Sequence, residues 1–194
     1  MKLPKSFRPE KDLDSKIKEL VNLLDSNQNT IKNILESSEE FISKYDDYHD
    51  IRKLYGLGQD LSMKIDYTDS DLTVLSEKLR IDNTIPFQGY IGIYLNALVD
   101  KIAGSYDSIL LAPQEPIDGL GTLMEKGTII IKGNVGNYTG SYMQGGYMIV
   151  KGHTGMQTGY SMRGGIIDVR GSVQGDYGIA SGGGRIIVRV RKQK

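Results

Sequence analysis

Apolar residues recur along this chain with two different periods, and the change of period divides it. Leu13, Ile17, Leu20 and Leu24 are spaced i, i+4, i+7 and i+11, with Lys16, Lys18 and Glu19 between them. That spacing places them on one stripe of a helix. Asp12 or Asp14 can cap its start, and the polar run 25–29 ends it. Ile31, Ile34, Leu35, Ile42 and Tyr45 predict a second helix, packed on the first as a helical hairpin. Asp69, Ser70 and Asp71 form a capping cluster ahead of Leu72, Leu75 and Leu79. Ile91, Leu95, Leu98 and Ile102 make a further helical stripe, with Gly104 placed as its C-terminal stop. Such stripes predict core packing. Their other use is to bind a partner helix.

From Gly121 the pattern changes to a repeat of constant period. Gly121, Gly140, Gly159 and Gly178 are in register, as are Met124, Met143 and Met162, and then Gly133, Gly152 and Gly171. Each unit approximates Gly-x-x-Met-x-Gly-Gly, then a five-residue segment, then Gly-x-x-Gly. A period of roughly 20 residues with one short strand per copy is a solenoid signature. The strands are predicted at 128–132, 147–151, 166–170 and 185–189. Side chains alternate along a strand, so Ile129 and Ile131, Met148 and Val150, Ile167 and Val169, and Ile186 and Val188 share the inward face. Stacked coil on coil, they form two apolar ladders. Lys132, Lys151, Arg170 and Arg189 face outward, and so does the column Ile130, Ile149, Asp168 and Ile187. The segment 108–113 lies one period earlier and predicts a preceding coil with Leu110 and Ala112 inward.

A coil this short turns back on itself several times. Its corners require φ > 0 or close approach to the neighbouring coil, and glycine supplies both. The fold class expected is α+β: a helical region over 1–104, then a right-handed parallel β-helix over 105–194. A parallel β-helix leaves its first coil open, and the helices before Gly104 are placed to cap it.

The Gly-x-x-Met-x-Gly-Gly units, with strands such as Ile129-Ile130-Ile131-Lys132-Gly133 and Met148-Ile149-Val150-Lys151-Gly152, resemble the C-terminal β-helix domain of the glutamate synthase large subunit. They are similarly close to the formylmethanofuran dehydrogenase subunit of the same superfamily. The resemblance covers about residues 121–189. It implies a right-handed β-helix with a structural role beside separate amidotransferase, flavin, and iron–sulfur or molybdenum/tungsten domains. The helical part matches no segment of that family.

Composition narrows the chemistry. Lys plus Arg number 24 and Asp plus Glu number 24, so no global charge favours nucleic acid or an anionic membrane. The absence of cysteine removes disulfides, thiolate nucleophiles and Cys-ligated metals. The first residues lack the apolar core of a signal peptide, and no apolar stretch is long enough to span a membrane, so the expected compartment is the cytoplasm.

The glycine-rich turns invite a phosphate-loop reading, but each leads to another strand rather than a helix, and no Gly-Lys-Ser/Thr occurs. A calcium-binding repeat needs an Asp in every turn, which the turns at 134–139 and 153–158 lack. His153 aligns with Asn134 and Ser172 and reads as a surface turn residue. Asp168 interrupts the isoleucine column, and Arg170 is placed to pair with it. Tyr138, Tyr142, Tyr147, Tyr160 and Tyr177 suit packing between neighbours or an interface core.

No triad, carboxylate dyad or metal cluster emerges, and no cofactor is expected. The favoured expectation is a non-catalytic structural or assembly subunit of a larger oxidoreductase or amidotransferase complex. It would associate with a larger enzyme subunit or a second copy through Ile130, Ile149 and Ile187. The alternative is a free-standing ligand-binding protein or enzyme with a site between the helical region and the β-helix.

Overall fold

The computed structural model describes residues 50–78 and 88–189, together with Asn33, Ile34 and Ser37. Helices α1 (Ile51–Ser62), α2 (Asp69–Lys78) and α3 (Gln88–Ile102) precede five parallel strands: β1 (Ile109–Leu111), β2 (Thr128–Ile131), β3 (Tyr147–Val150), β4 (Ile166–Val169) and β5 (Arg185–Val188). The strands form one sheet in chain order, so the chain winds as a parallel β-solenoid of about four turns. The first predicted helix lies outside the described residues, as do Ile31, Leu35, Ile42, Tyr45 and Leu79.

The strand pairing follows the repeat from β2 onward. Ile129 pairs with Met148, Met148 with Ile167 and Ile167 with Ile186, each one period on. The inward ladders Ile129–Met148–Ile167 and Ile131–Val150–Val169 are fully buried. Their last members, Ile186 and Val188, are only half-buried, because among the described residues β5 has no strand on its far side. Met124, Met143 and Met162 fill the interior beside them. On a second side of the coil, Thr154 bridges Val173 in parallel. Thr139 and Thr158 are buried inside and donate to the carbonyls of Gly136 and Gly155 at 2.9 and 3.1 Å.

The first coil departs from the expected register. Ile109 pairs with Ile129 and Leu111 with Ile131, so these two point inward rather than Leu110 and Ala112. The connection from β1 to β2 is one residue longer than the others, and a one-residue slip exchanges the two faces of a strand. The slip places two large branched side chains in the core instead of Leu and Ala.

The corner glycines behave as their columns require. Gly121, Gly140, Gly159 and Gly178 all have left-handed backbones, with φ of 66° to 82°. Leu123, Tyr142, Ser161 and Ala180, a short step further on, are left-handed as well without being glycine.

The helices cap the first coil. Thr73 Oγ1 of α2 donates to Leu110 O at 2.7 Å, and Ser76 Oγ accepts from Ala112 N at 2.9 Å. Asn96 of α3 is fully buried; its Nδ2 donates to Gly119 O and Thr122 O at 3.2 and 3.1 Å, and its Oδ1 accepts from Gly121 N at 2.7 Å. Leu72, Leu75, Leu95 and Leu98 join Ile109, Leu111 and Ile117 in one continuous core. Ile34 belongs to it too, and Tyr94 Oη donates to Ser37 Oγ at 2.7 Å.

Two helix ends differ from expectation. The N-cap of α2 is Thr68, whose Oγ1 accepts from Asp71 N while Asp71 Oδ2 accepts from Thr68 N; Asp69 and Asp71 lie in the first turn. Gly104 lies beyond α3 without a left-handed backbone, and the helix closes through Ser105 N donating to Ile102 O at 2.9 Å. Helix α1 is not among the predicted stripes, although Ile51, Leu54, Tyr55 and Leu61 keep a helical spacing; Gly56 and Gly58 lower its helix propensity. It forms around buried Leu54, Tyr55 and Leu61, with Asp50 as its N-cap.

Candidate functional site

Two surface features combine side chains from different coils. The first is the outward face of the sheet. Ile130, Ile149 and Ile187 stand half-buried in one column, and Lys132, Lys151, Arg170 and Arg189 stand exposed in the next. Ile130, Ile149, Lys151, Arg170 and Arg189 line a shallow groove of about 470 Å³ on this face.

Asp168 sits at the isoleucine column and is 0% exposed. Its Oδ1 accepts from Arg189 Nε at 2.7 Å and its Oδ2 from Arg189 Nη2 at 3.1 Å, a bidentate pair. Arg170 Nη2 lies 2.9 Å from Oδ2, and Tyr147 Oη donates to the same oxygen at 3.3 Å. The Arg189 hydrogen bonds, aided by the Arg170 charge and opposed by burial, hold this carboxyl below the usual carboxylate range. The predicted Arg170 partner is therefore present. The stronger partner, Arg189, comes from the next coil, and no spacing rule within one strand would find it.

The second feature is a groove of about 300 Å³ where α1 meets the coils, lined by Arg52, Tyr55, Leu123, Glu125, Tyr142, Gln144 and Arg163. Beneath it Tyr55 Oη donates a hydrogen bond to the buried carboxylate of Asp100. The backbone N–H groups of Glu125 and Lys126 also point at Asp100, at 3.4 Å. Burial pushes the Asp100 carboxyl up against the lowering effect of these hydrogen bonds. Burial, then the bond to Asp100, pushes the Tyr55 hydroxyl far up. Tyr55 is thus held protonated as a donor. No spacing rule within one element finds this pair, because its members lie 45 positions apart in the chain.

The remaining candidates are parts of the coil. His153 N donates to Asn134 Oδ1 at 2.9 Å, and His153 Nδ1 accepts from Ser172 N at 3.0 Å. Asn137 likewise links its coil to the next, accepting from Met156 N at 2.9 Å. These are side-chain ladders that satisfy turn N–H groups from one coil to the next. Tyr142 and Tyr160 meet edge to face with centroids 5.7 Å apart, while Tyr138 and Tyr177 are half-exposed. Gly133, Gly152 and Gly171 stack, and added Cβ atoms at Gly152 and Gly171 would meet the backbone of the coil before.

Among the described residues no helix is long and apolar enough to cross a membrane, and no group of three or more His, Asp or Glu side chains is placed to hold a metal ion. No protein family, curated protein or solved structure matches this chain.

Proposed function

We propose that the chain is a non-catalytic assembly subunit that docks through the outward face of its solenoid. One observation carries this: Ile130 and Ile149 stack on the outward face, with Ile187 in the same column beyond Asp168, all three half-open to water and bordered by an exposed basic column. A stack of β-branched side chains on an outward face is more apolar than a solvated face requires. The resemblance of the Gly-x-x-Met-x-Gly-Gly units to the glutamate synthase C-terminal domain supports the same reading. On that reading the solenoid is right-handed, as parallel crossovers almost always are, and it serves a larger oxidoreductase or amidotransferase in the cytoplasm. The test is light scattering of the full chain, with recovery of complexes from its native cell. A complex lost on Ile149→Glu, with the melting temperature unchanged, is expected. A strict monomer that recovers no partner would sink the proposal.

A second reading has its own support. The Tyr55–Asp100 pair places two perturbed groups beneath a groove between helix and coil, the usual surroundings of a ligand site. Retention of a small molecule by the native protein, lost on Tyr55→Phe, would favour it.

A further inference from the structure

We infer that the partner presents an acidic amphipathic helix to the sheet face, with its acid stripe on the basic column and its apolar stripe on the isoleucine column. This names the occupant of the assembly face proposed above and rests on that reading. Lys132, Lys151, Arg170 and Arg189 are all exposed and of one sign. Asp168 is the acid on this face, and its single charge is already shared by Arg170 and Arg189. The two guanidiniums are thereby fixed in place while the column keeps a net positive charge. Lys132 and Lys151 have no ion-pair partner among the described residues.

The spacing suits a helix laid across the strands. Neighbouring strands lie about 4.8 Å apart, so four stacked cations span roughly 14 Å. Acids at i, i+4 and i+7 of a helix are about 5–6 Å apart, and a helix of about ten residues is about 15 Å long. The two columns are two positions apart along each strand, about 7 Å, which matches adjacent stripes on one helix. A second copy meeting through the same face would set like charges against each other, so a different chain is the occupant.

The test uses the full chain and three fluorescent probes. One is a synthetic helical peptide of about 14 residues, roughly 21 Å long as a helix, with Glu at i, i+4, i+7 and i+11 beside a Leu stripe. The others are its Lys counterpart and a thymidine oligonucleotide of similar length. Anisotropy should show binding of the Glu peptide alone, weakened by salt and weakened roughly tenfold or more in K132E/K151E. Both lysines are exposed, so the melting temperature should not move. Failure of the Glu peptide to bind, or equal binding to K132E/K151E, overturns the inference. So does selective binding of the oligonucleotide, or self-association of the wild type that K132E/K151E abolishes. A native partner that co-purifies equally with K132E/K151E leaves the assembly reading standing and this one refuted. The absence of any partner for the wild type refutes both.

Discussion

Val150 lies on the inward face of β3, fully buried between Ile131 and Val169 on the neighbouring coils. A carboxylate there has no donor within the ladder and no route to water. Val150→Asp should therefore cost several kcal/mol, about the margin of a small fold; a thermal melt matching wild type would refute the stacking. The turn columns make a subtler prediction. Gly159 has φ of 67°, and a Cβ added there would meet the end of the Ile186 side chain. Gly164 has no such backbone, but its Cβ would strike the Gln144 carbonyl of the coil before. Gly164→Ala should destabilise more than Gly159→Ala, because a side-chain tip can move and a hydrogen-bonded backbone cannot. Gln157 is the reverse case, a non-glycine at φ of 58°. Relief of about 1–2 kcal/mol of left-handed strain outweighs the roughly 0.5–1 kcal/mol entropic cost of glycine. Gln157→Gly should raise the melting temperature slightly, and a fall would show that its side chain contributes more than the strain costs.

Between elements, the join of helix to solenoid runs through Asn96. Its amide serves Gly119, Gly121 and Thr122 at the first corner of the coil. Asn96→Leu keeps the volume but leaves Gly121 N–H and the Thr122 carbonyl unmet, at about 1–3 kcal/mol each, while Gly119 O keeps its bond from Thr122 N. Loss of at least about 2 kcal/mol in denaturant unfolding is expected, and a loss under about 1 kcal/mol would show that α3 is held by apolar packing alone. Strands β2 to β5 are legible in the sequence because each position recurs in several coils, so the pattern checks itself. The β1 register is not, since a single extra residue in its connection breaks the period while Leu110 and Ala112 are apolar enough to fit the wrong face. Two glycines lower the helix propensity of α1, and the α2 cap joins the expected Asp71 to Thr68, the threonine before the acids. At the two candidate sites the isoleucine column and the Asp168–Arg170 pair are readable within one strand. The Arg189 clamp and the Tyr55–Asp100 pair need residues 21 and 45 positions apart to be brought together.

Across the whole molecule two buried carboxylates impose opposite dependences on pH. Asp168 titrates below the ordinary aspartate value in the folded chain, chiefly through Arg189. Between its folded and unfolded values the unfolded state binds more protons, so the clamp stabilises fully above the unfolded value of about 3.9 and is lost as pH falls through the folded one. Asp100 is raised by burial. Its contribution is complete below about 3.9 and is lost as pH rises through the folded value, because ionisation inside the cap is then opposed. Together they give a stability that climbs out of strong acid and then declines above the ordinary carboxylate range. Melting temperatures of three proteins across pH separate the two limbs. Asp168→Asn should flatten the acid limb and leave the decline; Asp100→Asn should flatten the decline and leave the acid limb, whatever each does to the absolute stability. If Asp100→Asn keeps the wild-type slope above the ordinary carboxylate range, the Tyr55 hydrogen bond and the two backbone donors outweigh burial. Asp100 would then be an ordinary ionised carboxylate beneath the groove.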